Sequence, residues 1–305
     1  MTRIAYLGPA GTFTEEAATR FAQPDTQLVP VDSPHAALQA VERGDTEYAV
    51  CAIENSVDGA VTSTSDALVD APNTQILGET ELAIAFAIMT RPGQDLADAR
   101  TFVTHPVAYQ QVKRWAAEHM PNAAFTPAAS NGAAAQQVAA GEADVAAAPE
   151  RAADLLGLEV HARGVADLET ARTRFVFVGK QQKPPAPTGN DRTSLVFQTP
   201  NEPGTLVAIL QEFAYRGVDL SRIESRPTRK EPNTYNFFVD LVGHIEDAPV
   251  AEALRGVYLR ASSIRFLGSW PRSGQLLHDD PSTTRITAAT EWVDAARNGY
   301  PQPSA

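Results

Sequence analysis

Short apolar runs alternate with helical patterns of apolar residues over the first 180 positions of the chain. The runs predict strands at 3–7, 27–31, 48–53, 83–89, 101–104, 124–127, 145–148 and 174–178. The segments between them predict helices at 13–21, 34–43, 60–69, 106–118, 132–140 and 149–156. This alternation is typical of α/β domains. Because a second set of strand and helix units follows residue 80, we expect two lobes with a ligand-binding cleft between them.

A different order of elements follows the segment Gln181–Arg192, whose three prolines and Gly-Asn pair are typical of an extended linker. Beyond it, the pattern predicts a strand, a helix, two strands, a helix and a strand, at 193–199, 203–216, 218–228, 233–243, 249–258 and 262–270. This βαββαβ order is the ferredoxin-like arrangement. The tail, 272–305, predicts one amphipathic helix at 284–297, with Ile286, Trp292 and Val293 on its apolar side. The predicted organisation is a first region 1–180, a linker 181–192, a second domain 193–271 and the tail.

Composition and charge narrow the class of protein. The chain has 305 residues, enough for about two domains, and 43% hydrophobic residues, as in ordinary globular proteins. Its net charge is -12, concentrated in residues 1–180, which hold 12 Lys and Arg against 23 Asp and Glu. This negative charge argues against a nucleic-acid binder. Because it also repels an anionic substrate, such a substrate would have to be bound by hydrogen-bond donors or cations close to the site. The chain shows no secretory signal and no apolar segment of membrane-spanning length, so we expect a cytoplasmic protein. The single cysteine, Cys51, is interpreted as a buried structural thiol.

The first segment with candidate chemistry is Gly8–Glu15, a glycine-bearing turn between a predicted strand and a predicted helix. Thr12 and Glu15 have the spacing of a capping box, so backbone N–H groups at the helix start are available to an anion. An ordinary turn with a well-formed helix cap explains the same residues, and both interpretations stay open.

The second segment, Ala52–Ala60, places polar side chains at the end of an apolar strand, where sites form in open sheets. Asn55 and Ser56 offer donors to a carboxylate or a carbonyl, and Glu54 is suited to orient a neighbour or a proton-bearing group. The alternative is that Asn55 and Ser56 cap the helix that follows.

The third segment, Thr173–Phe175, opens the last strand before the linker. Arg174 has a planar guanidinium suited to a carboxylate, and Thr173 has a hydroxyl beside it. A lone arginine at a strand end is more often a solvated surface charge, which is the alternative here.

Taken in order, these segments resemble the prephenate dehydratase family, and the resemblance covers nearly the whole chain. The motifs that carry it are GPAGTFT at 8–14, IENSVDG at 53–59, THP at 104–106, SNGAAA at 130–135 and TRF at 173–175. The second domain looks like the ACT domain of these enzymes, through GTLV at 204–207 and ESRP at 224–227. The sequence departs from the family's usual residues at Ala52, Val107, Thr170–Ala171 and Thr205.

The resemblance implies a two-lobed, periplasmic-binding-protein-like catalytic domain that converts prephenate to phenylpyruvate with loss of carbon dioxide and water. It implies no metal and no organic cofactor. The catalytic residues that it implies are Thr173, Arg174, Phe175, Glu54, Asn55 and Ser56, and the substrate-binding residues are Thr12, Phe13, Thr14, His105, Ser130 and Asn131.

The hypothesis gives several of these residues a specific role, and Asn55 and Ser56 complete the set of donors. Thr173 hydrogen-bonds the leaving hydroxyl, Arg174 pairs with one substrate carboxylate, and the backbone around Thr12 to Thr14 receives the other. A proton relayed from Glu54 or a water assists Thr173, whose hydroxyl is a feeble acid. His105 is either a general acid or a helix-start or core histidine.

The ACT resemblance implies allosteric inhibition by phenylalanine at a dimer interface. The effector-binding residues that it implies are Asn201, Pro203, Gly204, Thr205, Leu206, Val207, Glu224, Ser225, Arg226 and Pro227. We expect a homodimer or homotetramer that binds neither nucleic acid nor membrane. Three alternatives stay open: a second domain that only dimerises the enzyme, an arogenate dehydratase acting on the amino analogue, and a non-catalytic amino-acid sensor.

Overall fold

The structure is a computed structural model, and it describes residues 1–167, 171–274 and 281–301, with the backbone alone over 281–287. Of the residues named above, Thr170 and the side chain of Ile286 lie outside this description. The chain forms two compact units, Met1–Gln182 and Lys183–Ala305. Within the described ranges, no helix combines the length and the apolar character needed to cross a membrane.

The first unit is built from two sheets. Its strands are β1 (Arg3–Leu7), β2 (Gln27–Val31), β3 (Tyr48–Asn55), β4 (Gly59–Ala60), β5 (Thr74–Ala83), β6 (Ala87–Thr90), β7 (Thr101–Thr104), β8 (Ala124–Pro127), β9 (Val145–Ala148), β10 (Glu159–Arg163) and β11 (Arg172–Lys180). One sheet has the order β2-β1-β3-β11-β5, with β4 paired to β3, and the other has the order β10-β6-β9-β7-β8. The chain passes from the first sheet to the second between β5 and β6 and returns between β10 and β11. This arrangement confirms the predicted two-lobed α/β architecture.

Helices connect these strands at boundaries that local residues mark. They are α1 (Phe13–Thr19), α2 (Pro34–Arg43), α3 (Thr62–Asp70), α4 (Pro106–His119), α5 (Asn131–Ala139) and α6 (Glu150–Leu156), with a short 3-10 helix at Leu96–Asp98. For α2, the Ser33 hydroxyl accepts from the Ala36 N–H, Pro34 occupies the first turn, and Gly44 ends the helix in the left-handed conformation. Such start and stop signals are readable without tertiary contacts, and the predicted bounds of α2 are confirmed.

The two lobes share a hydrophobic core. Leu82 and Phe175 of the first sheet belong to the same buried cluster as Phe86 and Phe102 of the second lobe. The Phe13 ring meets the Phe86 ring edge to face, with 5.6 Å between centroids. Because β11 carries Phe175 on the face that enters this cluster, that face of the first sheet is turned toward the second lobe.

The strand predicted at 83–89 is wrong, because the chain there leaves one sheet and enters the other. Strand β5 ends at Ala83 and β6 begins at Ala87. Most of β5 was not predicted, since Gly78, Glu79 and Glu81 interrupt its apolar pattern. The edge strand β10 was also missed, because its residues are largely exposed. The helix predicted from residue 60 begins at Thr62 instead, since Ala60 pairs with Glu54 in the sheet.

The second unit has the predicted βαββαβ order. Its elements are β12 (Asp191–Gln198), α7 (Thr205–Ala214), β13 (Leu220–Pro227), β14 (Tyr235–Val242), α8 (Ala248–Arg260) and β15 (Ser263–Pro271). The antiparallel sheet has the order β13-β14-β12-β15, so the apolar strand β14 is central, as predicted. Apolar residues of α7 and α8 pack with β12 and β14 in one buried cluster.

The predicted linker is too long at its C-terminal end. Asp191 and Arg192 are buried residues of β12, and the Asp191 carboxylate accepts from the N–H groups of Thr188 and Gly189. In the tail, α9 (Pro281–Asn298) contains the predicted helix. Trp292 and Val293, on the predicted apolar side of this helix, are both exposed.

Candidate active site

Thr173 lies opposite Asn55 in the antiparallel pair β11 and β3. The Asn55 Nδ2 donates to Thr173 Oγ1 at 3.0 Å, and the Asn55 Oδ1 accepts from the N–H groups of Val57 and Asp58 at 2.8 and 3.1 Å. Because these two N–H groups hold Oδ1, the amide can only present Nδ2 to Thr173. A hydroxyl that accepts from Asn55 directs its own proton elsewhere. The pair therefore presents a single O–H donor at the strand end.

A β-bulge determines which face of the sheet Asn55 occupies. Phe175 pairs with Ala52 and Arg174 pairs with Glu54, so Ile53 is an extra residue in β3. Successive side chains of a strand alternate between faces, and the extra residue shifts Asn55 onto the face of Thr173. Without the bulge, Asn55 would lie on the opposite face. Both side chains are thus on the face that Phe175 turns toward the second lobe.

Arg174 lies on the other face and is buried, so the interpretation as a solvated surface charge is wrong. Its Nε and Nη2 donate to Glu54 Oε2 at 3.2 and 3.0 Å, and its Nη1 donates to Glu79 Oε2 at 3.2 Å. The Glu79 side chain is 0% exposed, whereas Glu54 is 39% exposed. The guanidinium that we expected to hold a substrate carboxylate is therefore engaged by two carboxylates of the protein.

Ser56 extends the contact between β3 and β11. Its N–H donates to the Arg172 carbonyl at 2.9 Å, and its Oγ accepts from the Arg172 N–H at 2.9 Å. The residue that precedes α3 is Val61, which makes no side-chain capping bond. The alternative in which Asn55 and Ser56 cap that helix is therefore wrong, and both residues instead hold the strand end that carries Thr173.

In the turn Gly8–Glu15, the Glu15 carboxylate accepts a hydrogen bond from the backbone of the turn itself. Thr12 Oγ1 accepts from the Glu15 N–H at 3.2 Å, as the predicted cap requires, but Glu15 Oε2 accepts from the Gly11 N–H at 2.8 Å. Arg151 Nε pairs with the same oxygen at 3.3 Å. Burial, followed by the charge of Glu15, raises the pKa of the Tyr6 hydroxyl to about 12. The Gly11 N–H is thus already bonded within the turn. The first N–H that donates within α1 is that of Glu16, so the N–H groups of Thr12 to Thr14 make no hydrogen bond along the helix.

The start of α5 contacts this turn directly. A Cβ on Gly132 would lie 3.0 Å from both Ala10 O and Thr12 Cγ2, so a larger residue at this close approach of the two lobes would require its neighbours to shift. Ser130 Oγ caps α5 by accepting from the Ala133 N–H, and Asn131 Oδ1 accepts from the His105 N–H at 3.2 Å. The motifs at 8–14, 104–106 and 130–135 are therefore neighbours in space.

His105 caps α4 and faces the turn after β3. Its Nδ1 accepts from the Val107 N–H at 3.3 Å, which leaves Nε2 to carry the proton of the neutral ring. Burial lowers the pKa of His105 below its ordinary value of 6.5, and the nearby Asp58 carboxylate opposes this shift. The helix-start interpretation is correct, and His105 is in addition a neutral donor beside the Asn55–Asp58 turn.

Other predicted residues are buried or partly buried. Phe175 is part of the shared core, Phe13 packs against it, and Thr14 is 8% exposed. Cys51 is also buried, which raises the pKa of its thiol to about 12. No group of His, Cys, Asp and Glu suited to a metal ion occurs within the described residues.

In the second unit, a cavity of about 200 Å³ lies at the start of α7. Of the predicted effector residues, it is lined by Asn201, Gly204, Thr205, Leu206 and Val207, together with Asn233, Tyr235 and Phe237 of the adjoining hairpin. Pro203 and the residues of 224–227 are not among the lining residues. In β13, Ser225 pairs with Phe237 and Pro227 with Tyr235, so these two residues share the face of the cavity. Glu224 and Arg226 lie on the other face, where Glu224 accepts from Arg222 at 2.7 Å.

Sequence reasoning missed Glu79, Tyr235 and Phe237. The signal for Glu79 was an acid inside the apolar run TQILGETELA, which is costly in a sheet unless it is paired. Tyr235 and Phe237 were read as sheet residues, and no local pattern distinguishes a cavity wall from a core position.

Two family models match the chain. The model for "Prephenate dehydratase" matches residues 4–183, and the model for "ACT domain" matches residues 193–257.

Individual relatives extend the similarity to nearly full length. A "Prephenate dehydratase" of Corynebacterium glutamicum is 54% identical over 307 residues, covering 98% of this chain and 97% of the relative. A solved prephenate dehydratase from Arthrobacter aurescens, in complex with L-Phe, is 37% identical with a TM-score of 0.88, covering 98% of this chain and 100% of that one. A second solved structure, GqqA, described as a quorum quenching acylase, is 32% identical with a TM-score of 0.80, covering 89% of this chain and 98% of that one.

Proposed function

Because the chain belongs to the prephenate dehydratase family, we propose that it converts prephenate to phenylpyruvate, carbon dioxide and water. The observation that carries this proposal is the Asn55–Thr173 pair, which presents one hydroxyl proton at a strand end on the face turned toward the second lobe. The carbon–carbon bond to the ring carboxylate breaks as carbon dioxide leaves, and its electron pair enters the ring. The ring hydroxyl departs with its own bonding pair and takes up a proton from solvent. Aromatisation supplies the driving force.

Different residues make the contacts that this reaction requires. Thr173 donates a hydrogen bond to the leaving hydroxyl oxygen, where negative charge develops in the transition state. His105, as a neutral ring, donates from Nε2. The Asn131 Oδ1 accepts from the Thr104 hydroxyl and from the His105 N–H, so the Asn131 Nδ2 points away from both of these donors. The N–H groups of Thr12 to Thr14 remain the proposed contact for one substrate carboxylate. Glu54 is an unsuitable proton relay, since its carboxylate accepts from Arg174 on the face opposite Thr173.

The experiment is turnover of prephenate by the full chain, followed through phenylpyruvate absorbance, with arogenate in a parallel reaction. We expect prephenate turnover and a fall in kcat of about 100-fold or more in Thr173→Val, which keeps the side-chain shape. Thr80→Val is the matched control, because Thr80 pairs with Phe175 on the neighbouring strand, and kcat should be retained. Faster turnover of arogenate would assign the chain to the amino analogue, and no turnover of either substrate would support the sensor alternative.

The acylase activity described for GqqA is a separate outcome to measure. The single thiol is buried with a raised pKa, so a cysteine nucleophile for acyl transfer is not available in the folded protein. An acylated amide is included as a parallel substrate, and its hydrolysis would require a nucleophile other than Cys51.

We further propose that the second unit binds phenylalanine and that the enzyme works as a homodimer or homotetramer in the cytoplasm. The similarity to a structure in complex with L-Phe supports the effector, as does the cavity beside Gly204 to Val207, which is lined by both apolar and polar residues. To inhibit the enzyme, phenylalanine must bind its less active state more tightly. The proposed boundaries are 1–180 for catalysis and 191–271 for regulation, where the start at 193 expected from the sequence moves to Asp191 because β12 begins there.

The effector site is tested with Ser225→Ala, since Ser225 shares the cavity's face of β13. The phenylalanine concentration needed for half inhibition should rise, and turnover without phenylalanine should stay unchanged. Ser263→Ala, at the exposed start of β15, is the control and should leave inhibition as it is. If phenylalanine inhibits the wild type, Ser225→Ala and Ser263→Ala equally and in competition with prephenate, its binding site must lie in the first unit instead.

A further inference from the structure

A buried ion cluster occupies the face of the first sheet opposite Thr173. Arg174 donates to Glu54 of β3 and to Glu79 of β5, so the guanidinium joins the two strands on either side of β11. The cluster combines two carboxylates with one guanidinium. Glu79 has no place in the reaction as proposed above, and its side chain is fully buried.

Two observations separate this cluster from substrate binding. Its three groups carry a net charge of -1, which repels a substrate carboxylate rather than attracting it. In addition, Arg174 and Thr173 are consecutive residues of a strand, so their side chains point to opposite faces. A carboxylate that contacted Arg174 would be across the sheet from the Thr173 hydroxyl.

Stability alone is a poor explanation for the cluster. Desolvating a guanidinium and a carboxylate offsets most of their attraction, and apolar residues of similar volume serve a core equally well. In some proteins, buried polar or ionic groups specify one arrangement of the chain, and we take this as the hypothesis for the cluster. Here the arrangement in question is the bulge at Ile53, which is followed directly by Glu54 and Asn55.

We propose that Glu79 is a positioning residue for the reaction and that it acts through Arg174. Glu79 fixes the guanidinium from β5, and the guanidinium fixes Glu54 immediately after the bulge. The adjacent Asn55 is thereby held where its Nδ2 reaches Thr173 Oγ1. This role rests on the proposed function, and it replaces the expected contact between Arg174 and a substrate carboxylate.

The test is Glu79→Gln in the full chain, which keeps the side-chain shape and removes the charge. We expect kcat for prephenate to fall by about 10- to 100-fold with KM within about 3-fold, because a displaced donor weakens the transition state more than substrate binding. Glu47→Gln is the control, since Glu47 lies before the start of β3, far along that strand from Glu54, and pairs with the exposed Arg3. Its kinetic constants should equal those of the wild type.

A double-mutant cycle distinguishes positioning from a purely structural role. If Glu79 acts through Arg174, Glu79→Gln should change kcat much less in an Arg174→Lys background than in the wild type. A structural role would lower the melting temperature and leave kcat per folded molecule unchanged. Should Glu79→Gln fail to fold, Glu54→Gln at the partly exposed end of the cluster should give the same fall in kcat.

Two results would overturn the proposal. One is a folded Glu79→Gln enzyme whose kcat equals that of the wild type. The other is an Arg174→Lys enzyme with a raised KM and unchanged kcat, which would show that Arg174 binds the substrate directly. Wild-type enzyme without prephenate turnover would instead refute the proposed function, so the two failures are distinguishable.

Discussion

At the candidate active site, each polar side chain is oriented by hydrogen bonds to one of its polar atoms. Oδ1 of Asn55 is held by Val57 and Asp58, and Oγ of Ser56 is held by the Arg172 N–H. Nδ1 of His105 is held by the Val107 N–H. The groups left to face a ligand are therefore neutral donors, chiefly the Thr173 hydroxyl and Nε2 of His105. Such donors stabilise developing charge without needing to lose a proton.

His105 gives a prediction for the pH dependence of stability. Burial lowers its folded-state pKa, so on acidification the unfolded chain takes up a proton before the folded chain does. The free energy of unfolding should therefore fall as the pH decreases from above the ordinary value of 6.5 through the lowered one. His105→Gln lacks this contribution, and urea unfolding across this range should show a shallower decline than in the wild type. Parallel curves for the two proteins would contradict the assigned shift.

Packing between helices of the second unit depends on a glycine beside a buried carboxylate. Glu212 of α7 accepts from Arg216 at 2.6 Å and from Arg260 of α8 at 2.5 Å. A Cβ on Gly256 would lie 1.9 Å from Glu212 Oε2 and 2.6 Å from its Cδ. The absence of a side chain at position 256 thus makes room for the ion pairs that join α7 to α8.

Gly256→Ala should destabilise the protein by at most about 2 kcal/mol, because the added methyl forces the end of Glu212 away from both arginines, a loss that the higher helix propensity of alanine, about 1 kcal/mol, partly offsets. Denaturant unfolding followed by circular dichroism measures the loss. In a Glu212→Ala background the methyl finds free space, so adding Gly256→Ala should cost clearly less. An equal loss in both backgrounds would show that the clash with Glu212 is not the cause.

Charge is distributed unevenly over the whole molecule. Residues 1–180 hold 12 basic and 23 acidic residues, yet the proposed substrate is a dianion. The long-range field of this unit therefore opposes substrate approach, and capture depends on short-range donors at the site.

The prediction is that salt accelerates capture. Raising the ionic strength from ~0.01 M to ~0.15 M shortens the screening length from about 30 Å to about 8 Å. The kcat/KM for prephenate should then rise by a factor of about 2 or more, while kcat stays nearly constant. Potassium chloride and sodium chloride at equal ionic strength should act alike, which controls for specific ions. A fall of kcat/KM with salt would indicate that a positive surface steers the substrate.

Patterns within a few residues determined the elements of this protein and the motifs that mark the site. Ser33, Pro34 and Gly44 set the bounds of α2 because caps and turns depend on neighbouring residues, and the two-lobed order and βαββαβ order follow from local periodicity. Tertiary structure decided which of these residues meet. Thr173 reaches Asn55 across 118 positions, and Arg174 reaches Glu79 across 95, so no local pattern reveals either contact. The same separation explains why β5 was missed, since its buried acid is tolerable only beside a guanidinium from a distant strand. The face on which each side chain lies depended on one extra residue at Ile53, and a bulge is defined by the partner strand rather than by the strand that contains it.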